Sequence, residues 1–404
     1  MTISRNVVFI NQYYYPFQAS TGQLLQEVAE YLVENGKKVV VVTGINGNRA
    51  LPRREKLNGV TIFRIPNFRD GSSFGTKIFS YFSFLISLKK FLRKGNVEQS
   101  IIFAFSTPPL CGIAPLKHRE KKKIRLVLDN QDLYPDLLIA LQKVRKRSLI
   151  YRVLRKIAKN LFDESDRIIT VGQKMKEKIR EEYGVNPDKI TVIENWALKE
   201  LECQNPSEFR EKSTNEKLKI LYTGNMGRSH EYQTLLEGLR IYQNHRQIEL
   251  IVTGGGYNHQ KFRVAVEQEG LKNIYFDGFV GKDELCRLID DADLCVVIGN
   301  KELCGHIVPS KFYGYLARGK PILYINSGTD EVSLHIEEGA FGYQIPNRRS
   351  DLFSDIINEI CDKKEILAEM RKNAILYYRQ RLRRTDSLRK YLEVVEEMEE
   401  IIEE

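Results

Sequence analysis

At 404 residues the chain exceeds what one hydrophobic core organises, about 250–300 residues, so two domains are expected. Its 42% hydrophobic and 29% charged residues are those of a globular protein, and no run of about 18 apolar residues is present, so no membrane-spanning helix is expected. The net charge of +10 is uneven: Lys117 to Arg125 and Lys143 to Lys159 are dense in Lys and Arg, while Glu393 to Glu404 is acidic.

That balance calls for an anionic partner. Helix-turn-helix, zinc and RNA-binding signatures are missing, so nucleic acid gives way to an anionic membrane surface or a phosphorylated ligand. The opening residues lead straight into a strand-like run, so no signal peptide is expected there. Six cysteines and six histidines are scattered without metal-ligand spacing. We therefore expect buried thiols in a reducing cytoplasm and no metal site.

In chain order, Val7 to Asn11 reads as a strand, followed by a loop from Tyr13-Tyr14-Tyr15-Pro16 to Ser20-Thr21-Gly22. Gln23 to Glu34 carries Leu24, Leu25, Val28 and Leu32 at helical spacing, Asn35-Gly36 stops it, and Lys38 to Thr43 is a second strand. Such a unit binds ligands at its first loop in a doubly wound sheet. The Gly-x-Gly-x-x-Gly pattern and an acidic residue ending the second strand are absent, which argues against NAD.

Phe74 to Lys94 alternates aromatic and aliphatic residues with serines and cations and has no acidic residue. It suits either a core helix with a basic outer face or a helix lying on a membrane interface. Tyr151 to Phe162 has the same ambiguity. Ile101 to Phe105 and Ile124 to Leu128 are strands ending in Ser106-Thr107-Pro108-Pro109 and in Asp129 to Asp136. Carboxylates past strand ends face the ligand crevice of an open α/β sheet, although Asp136 could serve as a helix cap. Ile168 to Val171 and Lys189 to Ile193 complete a first domain, placed at 1–198. A polar, aperiodic linker occupies 199–216.

The pattern restarts in a second domain at 217–382. Lys219 to Thr223 leads to Gly224-Asn225-Met226-Gly227-Arg228, and Glu249 to Thr253 leads to Gly254-Gly255-Gly256. Ile274 to Phe276 precedes Gly278-Phe279-Val280. Leu294 to Ile298 is followed by a polar loop, then a short helix that starts near Pro309-Ser310 and stops at Gly319, then the strand to Ile325. Lys311 in the first turn of that helix is either an ordinary solvated lysine or part of an anion seat. Asp291-Ala292-Asp293 matches a metal-binding Asp-x-Asp, but its place between a helix and a strand suits a turn. The final helix, about 383–404, has one apolar face and reads as a strut returning to the first domain. The fold class is thus α/β, with two Rossmann-like domains of parallel strands facing a central cleft.

These marks together resemble retaining glycosyltransferases of family 4 with the GT-B fold, in the subgroup that builds bacterial O-antigen, capsule and exopolysaccharide. The resemblance rests on Tyr13 to Pro16 with Thr21-Gly22, Ser106 to Pro109, Gln131 to Asp136, and Glu194-Asn195-Trp196. It continues through Tyr222 to Arg228, Gly278-Phe279-Val280, and Val308 to Pro321. It implies a metal-independent retaining hexosyltransferase without cofactor, using a nucleotide diphosphate sugar (UDP-sugar favoured, GDP-sugar possible). The implied acceptor is a lipid-linked saccharide, at the inner face of the cytoplasmic membrane.

By position the resemblance implies donor binding by Thr21, Gly22, Gly224, Asn225, Gly227, Arg228, Ser310 and Lys311, with Gly22, Asn225, Arg228 and Lys311 at its phosphates. Phe279 and Val280 present backbone to the base. Asp132 lies near the anomeric carbon or the acceptor hydroxyl, and Asp132, Arg228 and Lys311 are the expected catalytic residues. The chain departs from the family's spaced glutamate pair, having His306 and Gly314 in those places. Glu302 or His306 then takes the sugar-binding role, unless His306 is an ordinary exposed loop residue. Two other readings fit the same fold: a nucleotide-sugar 2-epimerase, and a non-catalytic assembly subunit.

Overall fold

Short runs of Val, Ile and Phe, buried on both faces, become parallel strands, and the amphipathic segments between them become the covering helices. The computed structural model of the protein describes residues 5–69, 71, 74–95, 97–202, 217–243, 248–363 and 365–403. It divides into two units, one comprising Met1–Glu194, Gly305–Ile307 and Thr385–Glu404, the other Asn195–Cys304 and Val308–Arg384.

The first unit contains β1 (Val7–Ile10), β2 (Val39–Gly44), β3 (Arg54–Leu57), β4 (Val60–Ile65), β5 (Ile101–Phe105), β6 (Arg125–Asn130), β7 (Arg167–Thr170) and β8 (Ile190–Val192). They form one sheet in the order β3-β4-β2-β1-β5-β6-β7-β8. All neighbours pair in parallel except β3 and β4, an antiparallel hairpin that departs from the expected all-parallel sheet. Its turn is Asn58-Gly59, with φ of 48° and 81°, the left-handed pair that a tight hairpin requires.

The second unit contains β9 (Leu218–Asn225), β10 (Ile248–Gly255), β11 (Ile274–Asp277), β12 (Leu294–Ile298), β13 (Ile322–Ile325) and β14 (Gly342–Ile345). The order is β11-β10-β9-β12-β13-β14 and every pairing is parallel. Counted from β9, this is the doubly wound order, which reverses between β9 and β12. The first sheet reverses in the same way between β1 and β5.

The units meet the chain at Asn195, not at 198. The cause is packing: Trp196 and Ala197 are buried, and Ala197 belongs to the second unit's core with Leu221, Phe312 and Tyr324. Of the expected linker at 199–216, Lys199–Leu201 forms a short 3-10 helix. Residues 203–216 of that linker lie outside the described residues.

Helix Phe74–Lys94 buries Ser80, Phe84, Leu88 and Leu92 completely. Three large apolar side chains at about 1.5–3 kcal/mol each hold it to the unit. Its outer face is not simply basic, because Phe79, Phe82 and Ile86 are more than half exposed, with Phe68 packed on Phe79 at 4.7 Å. Helix Leu149–Glu164 likewise exposes Leu149, Ile150 and Val153 while burying Tyr151, Ala158, Leu161 and Phe162. Both helices connect strands running the same way across the sheet, so right-handed crossovers put them on one face. The short helix Ile113–Leu116 contacts both.

The C-terminal helix, Arg384–Glu403, packs within the first unit. Tyr391 donates its hydroxyl to Asp129 Oδ2 at 2.6 Å, Arg125 donates to the Ile401 carbonyl at 2.7 Å, and Lys37 pairs with Glu399 at 2.6 Å.

Candidate functional site

In the second unit the loops after β9 and β10 lie against each other, backbone to backbone. Gly254 (φ 113°) and Gly256 (φ 116°) occupy conformations open to glycine. A Cβ at Gly254 would come 2.2 Å from the Gly224 carbonyl oxygen, and one at Gly256 2.4 Å from Asn225 Oδ1. The Met226 amide donates to the Gly255 carbonyl at 2.7 Å, and the Asn258 amide to the Met226 carbonyl at 3.0 Å. Gly227 donates its amide to His230 Nδ1 at 3.1 Å, and Asn258 Nδ2 donates to the His230 carbonyl at 2.7 Å. The 224–230 loop is thereby tied to the start of helix Tyr257–Glu269.

Arg228 is exposed, with its guanidinium 3.6 Å over the Tyr257 ring. That contact orients the cation while leaving its donors to the outside. Asn225 is exposed as well, and Gly227 and Val280 are half-buried. Phe279 is 78% exposed, and its ring edge approaches Gly255, where a Cβ would sit 2.9 Å away. The side chain of Phe279, and not only its backbone, is therefore available.

Lys311 opens helix Lys311–Ala317 but is not the solvated lysine its position in the sequence would allow. Its Nζ is buried without a hydrogen-bond partner and rests 3.6 Å over the ring of Tyr222, a fully buried residue of β9. Burial pushes the Lys311 amine down to about 7. His230 is pushed down to about 4, first by burial and then by the charge of Lys311. A cation without an acceptor in a dry setting is expensive, and an incoming anion relieves that cost. Ser310 is exposed and its side chain does not cap the helix. Glu302 is exposed in the 3-10 turn Lys301–Leu303, its amide donating to Asn300 Oδ1 at 3.0 Å.

In the first unit, Thr21 and Gly22 are not in a loop, since helix Ser20–Glu34 begins before them. Gly22 is buried, and a Cβ there would press to 3.0 Å on the Tyr13 carbonyl oxygen, so close helix-to-loop packing itself accounts for the glycine. Asn11 Nδ2 donates to Thr21 Oγ1 at 3.5 Å and to the Tyr13 carbonyl at 2.9 Å.

Past β6, Ser106 Oγ accepts the amides of Gln131 (3.1 Å) and Asp132 (3.0 Å). The Leu133 amide donates to the His306 carbonyl at 2.9 Å. His306 is therefore buried in the first unit and is no exposed loop residue, whereas Glu302 belongs to the second. Asp132 lines a small pocket with Ser106, Tyr134 and Leu161, and burial pushes its carboxyl up to about 6. Asp136 is no simple cap: it accepts the hydroxyls of Tyr151 (2.6 Å) and Tyr183.

Asp293 accepts the Lys219 amide (2.9 Å) and the Arg371 guanidinium (2.9 Å), and Asp291 pairs with Lys219. The Asp-x-Asp is thus structural. Among the described residues no three His, Cys, Asp or Glu side chains are grouped to hold a metal ion. Sequence reasoning missed Tyr222, His230 and Tyr257 as parts of the site. The Gly254-Gly255-Gly256-Tyr257 run after a strand was the available signal for the last.

Two doubly wound units with glycine loops at the strand ends, one of them carrying a sequestered cation, make up the GT-B fold. The family models agree: Glycosyltransferase Family 4 matches residues 21–197 and Glycosyl transferases group 1 matches 204–377, so the chain belongs to these glycosyltransferases. It is 24% identical over 290 residues to the probable glycosyltransferase WbjE of Pseudomonas aeruginosa, covering 71% of each chain. Its fold is similar to that of WaaG, a glycosyltransferase involved in lipopolysaccharide biosynthesis (TM-score 0.70, 14% identity, 96% of this chain and 99% of that one). It is also similar to Anabaena Alr3699/HepE in complex with UDP-glucose (TM-score 0.67, 13% identity, 97% and 99%).

Proposed function

We propose that the protein transfers a hexose, with retention of anomeric configuration, from a nucleotide diphosphate sugar to a lipid-linked saccharide in the assembly of a bacterial surface polysaccharide. A UDP-sugar is the favoured donor. The observation that carries this reading is the buried, unpartnered Lys311 ammonium beside the paired glycine loops of the second unit. A diphosphate seated on Gly224–Arg228 would take up the charge of Lys311 and the outward donors of Arg228. As the glycosidic bond breaks, negative charge grows on the leaving phosphate while the sugar gains oxocarbenium character. Fixed cations stabilise that charge without reorganising. They do the work a metal ion would do, so chelator should leave turnover intact.

Gly227 and His230 hold the loop's shape, and Phe279 offers a face or its backbone to the base. Asp132 receives or orients the acceptor hydroxyl and is ionised above about pH 6, the value to which burial raises it. Of the two sugar-binding candidates, the exposed Glu302 is better placed to reach a ligand than His306, which is buried against Leu133.

The acceptor's lipid suggests the location. The exposed Phe79, Phe82 and Ile86, with Leu149, Ile150 and Val153 on the same face, are flanked by Lys77, Lys89, Lys90, Arg93, Arg152 and Lys156. Apolar groups set among cations suit an anionic lipid surface, here the inner face of the cytoplasmic membrane. Among the described residues no helix is long and apolar enough to cross a membrane. The test is transfer of radiolabelled sugar from UDP-sugars into a lipid extract, with the new anomeric proton read by NMR. An inverted product, or sugar modified without any acceptor, would reject the reading.

A further inference from the structure

The C-terminal helix reaches the loop that carries Asp132 through a hydrogen-bonded chain of three side chains, Tyr391, Asp129 and Gln131. Tyr391 donates its hydroxyl to Asp129 Oδ2 at 2.6 Å, and Gln131 Nε2 donates to Asp129 Oδ1 at 2.8 Å. Tyr391 and Asp129 are each 1% exposed, at the end of β6 where the chain leaves the sheet. Asp129 thus spends one oxygen on the helix and the other on the loop. Gln131 and Asp132 hang their amides on a single oxygen, Ser106 Oγ, and Leu133 hangs its amide on the His306 carbonyl.

A buried carboxylate is costly unless its lone pairs are filled, and each donor that fills one constrains the other. Remove the Tyr391 hydroxyl and Asp129 must either protonate or recruit another donor. Either change weakens its hold on the Gln131 amide group. The ring of Tyr391 also packs near Phe103 at 6.3 Å, so a phenylalanine there keeps the packing and deletes only the hydroxyl.

We propose that Tyr391 is a positioning residue, holding the Gln131–Asp132 loop in its working shape through Asp129, so that the last helix is part of the acceptor-side machinery and not merely a strut. The significance of the loop rests on the role given to Asp132 above. The geometric claim does not, and the two can be separated.

The experiment uses the full chain as wild type, Tyr391→Phe, Gln131→Leu, their double variant, and Glu397→Gln. The last breaks an ion pair between the same helix and Arg167 without touching the loop. Hydrogen exchange is followed for the peptide spanning 130–136 and for peptides from β1 and β5. UDP release is followed from UDP-glucose and from UDP-N-acetylglucosamine, and UDP affinity by calorimetry. Tyr391→Phe should speed exchange at 131–133 about tenfold, leave β1 and β5 protected, and lower kcat about tenfold with UDP affinity unchanged.

The double variant should lose no more than the worse single one, because both cut the same chain. Glu397→Gln should match wild type throughout. Wild-type exchange at 131–133 in Tyr391→Phe, or acceleration spread equally over β1 and β5, would overturn the proposal. A local exchange effect in a protein that releases no UDP even as wild type would support the positioning role and count against the transferase reading.

Discussion

Lys311 allows a prediction whose size follows from its surroundings. Its Nζ is buried over Tyr222 without an acceptor, and its amine is pushed from 10.5 to about 7. That displacement corresponds to roughly 5 kcal/mol set against the ammonium, taking 1.36 kcal/mol per tenfold. A bound diphosphate supplies the missing counter-charge and should restore an ordinary lysine value, so binding takes up a proton wherever the empty site is neutral. At pH 8, with the group at about 7, about 0.9 proton should be taken up per ligand. Affinity should therefore be flat below pH 7 and fall about tenfold for each pH unit above it.

The sign also holds for folding. The unfolded chain keeps Lys311 protonated up to 10.5 while the folded one has lost the proton, so the empty protein gains stability as pH rises between those values. UDP-glucose is the appropriate ligand, because both its phosphates are diesters and do not titrate in this range. Calorimetry in buffers of differing ionisation enthalpy counts the protons directly. His230, at about 4, stays neutral throughout. Lys320, at about 8, donates to the Asp290 and Ala292 carbonyls and should contribute equally to free and bound states. Lys311→Met should abolish the uptake and flatten the profile. Proton uptake that persists in Lys311→Met, or a wild-type affinity constant from pH 7 to 9, would refute the reasoning.

Arg228→Ala should lower turnover about 10²-fold while leaving the thermal midpoint within a degree or two, since the side chain is exposed and lies over the ring of the equally exposed Tyr257; a loss below threefold in steady-state assays would remove it from the leaving-group site. Gly256→Ala should cost roughly 2–4 kcal/mol in urea unfolding of the second unit, from its left-handed backbone and the approach to Asn225 and Met226, and near-native stability would contradict that packing. Anionic vesicles should sediment the protein at low salt and release most of it at high salt, with Phe79→Ser/Phe82→Ser weakening binding about tenfold or more at any salt. Sedimentation indifferent to lipid charge and to both substitutions would end the membrane proposal.

How far the sequence carried depends on where the signal was local. Ile101–Phe105 and Leu294–Ile298 could be read to the residue because central parallel strands are continuous apolar runs bounded by polar turns. β3 and β14 are not legible as apolar runs because edge strands are half exposed, although the Asn58-Gly59 turn is a hairpin mark beside β3. Thr21-Gly22 looked like loop because glycine usually ends helices, and only the Tyr13 carbonyl pressed against Gly22 explains a glycine inside the first turn. Whether Lys311 is solvated or buried turns on Tyr222, a residue from another strand that no spacing rule connects to it. His306 belongs with Gly305 and Ile307 to the first unit, although the chain on either side of these three residues belongs to the second. Such long-range partners are invisible to periodicity.

A diphosphate seat in the second unit is tested most directly by one calorimetric series: UDP, GDP, ADP and UMP titrated into the wild-type protein and into Lys311→Met at pH 7. At least one diphosphate should bind, UMP should bind at least tenfold more weakly than UDP, and Lys311→Met should remove that difference. Equal affinity for UMP and UDP, or no binding of any diphosphate, would contradict it.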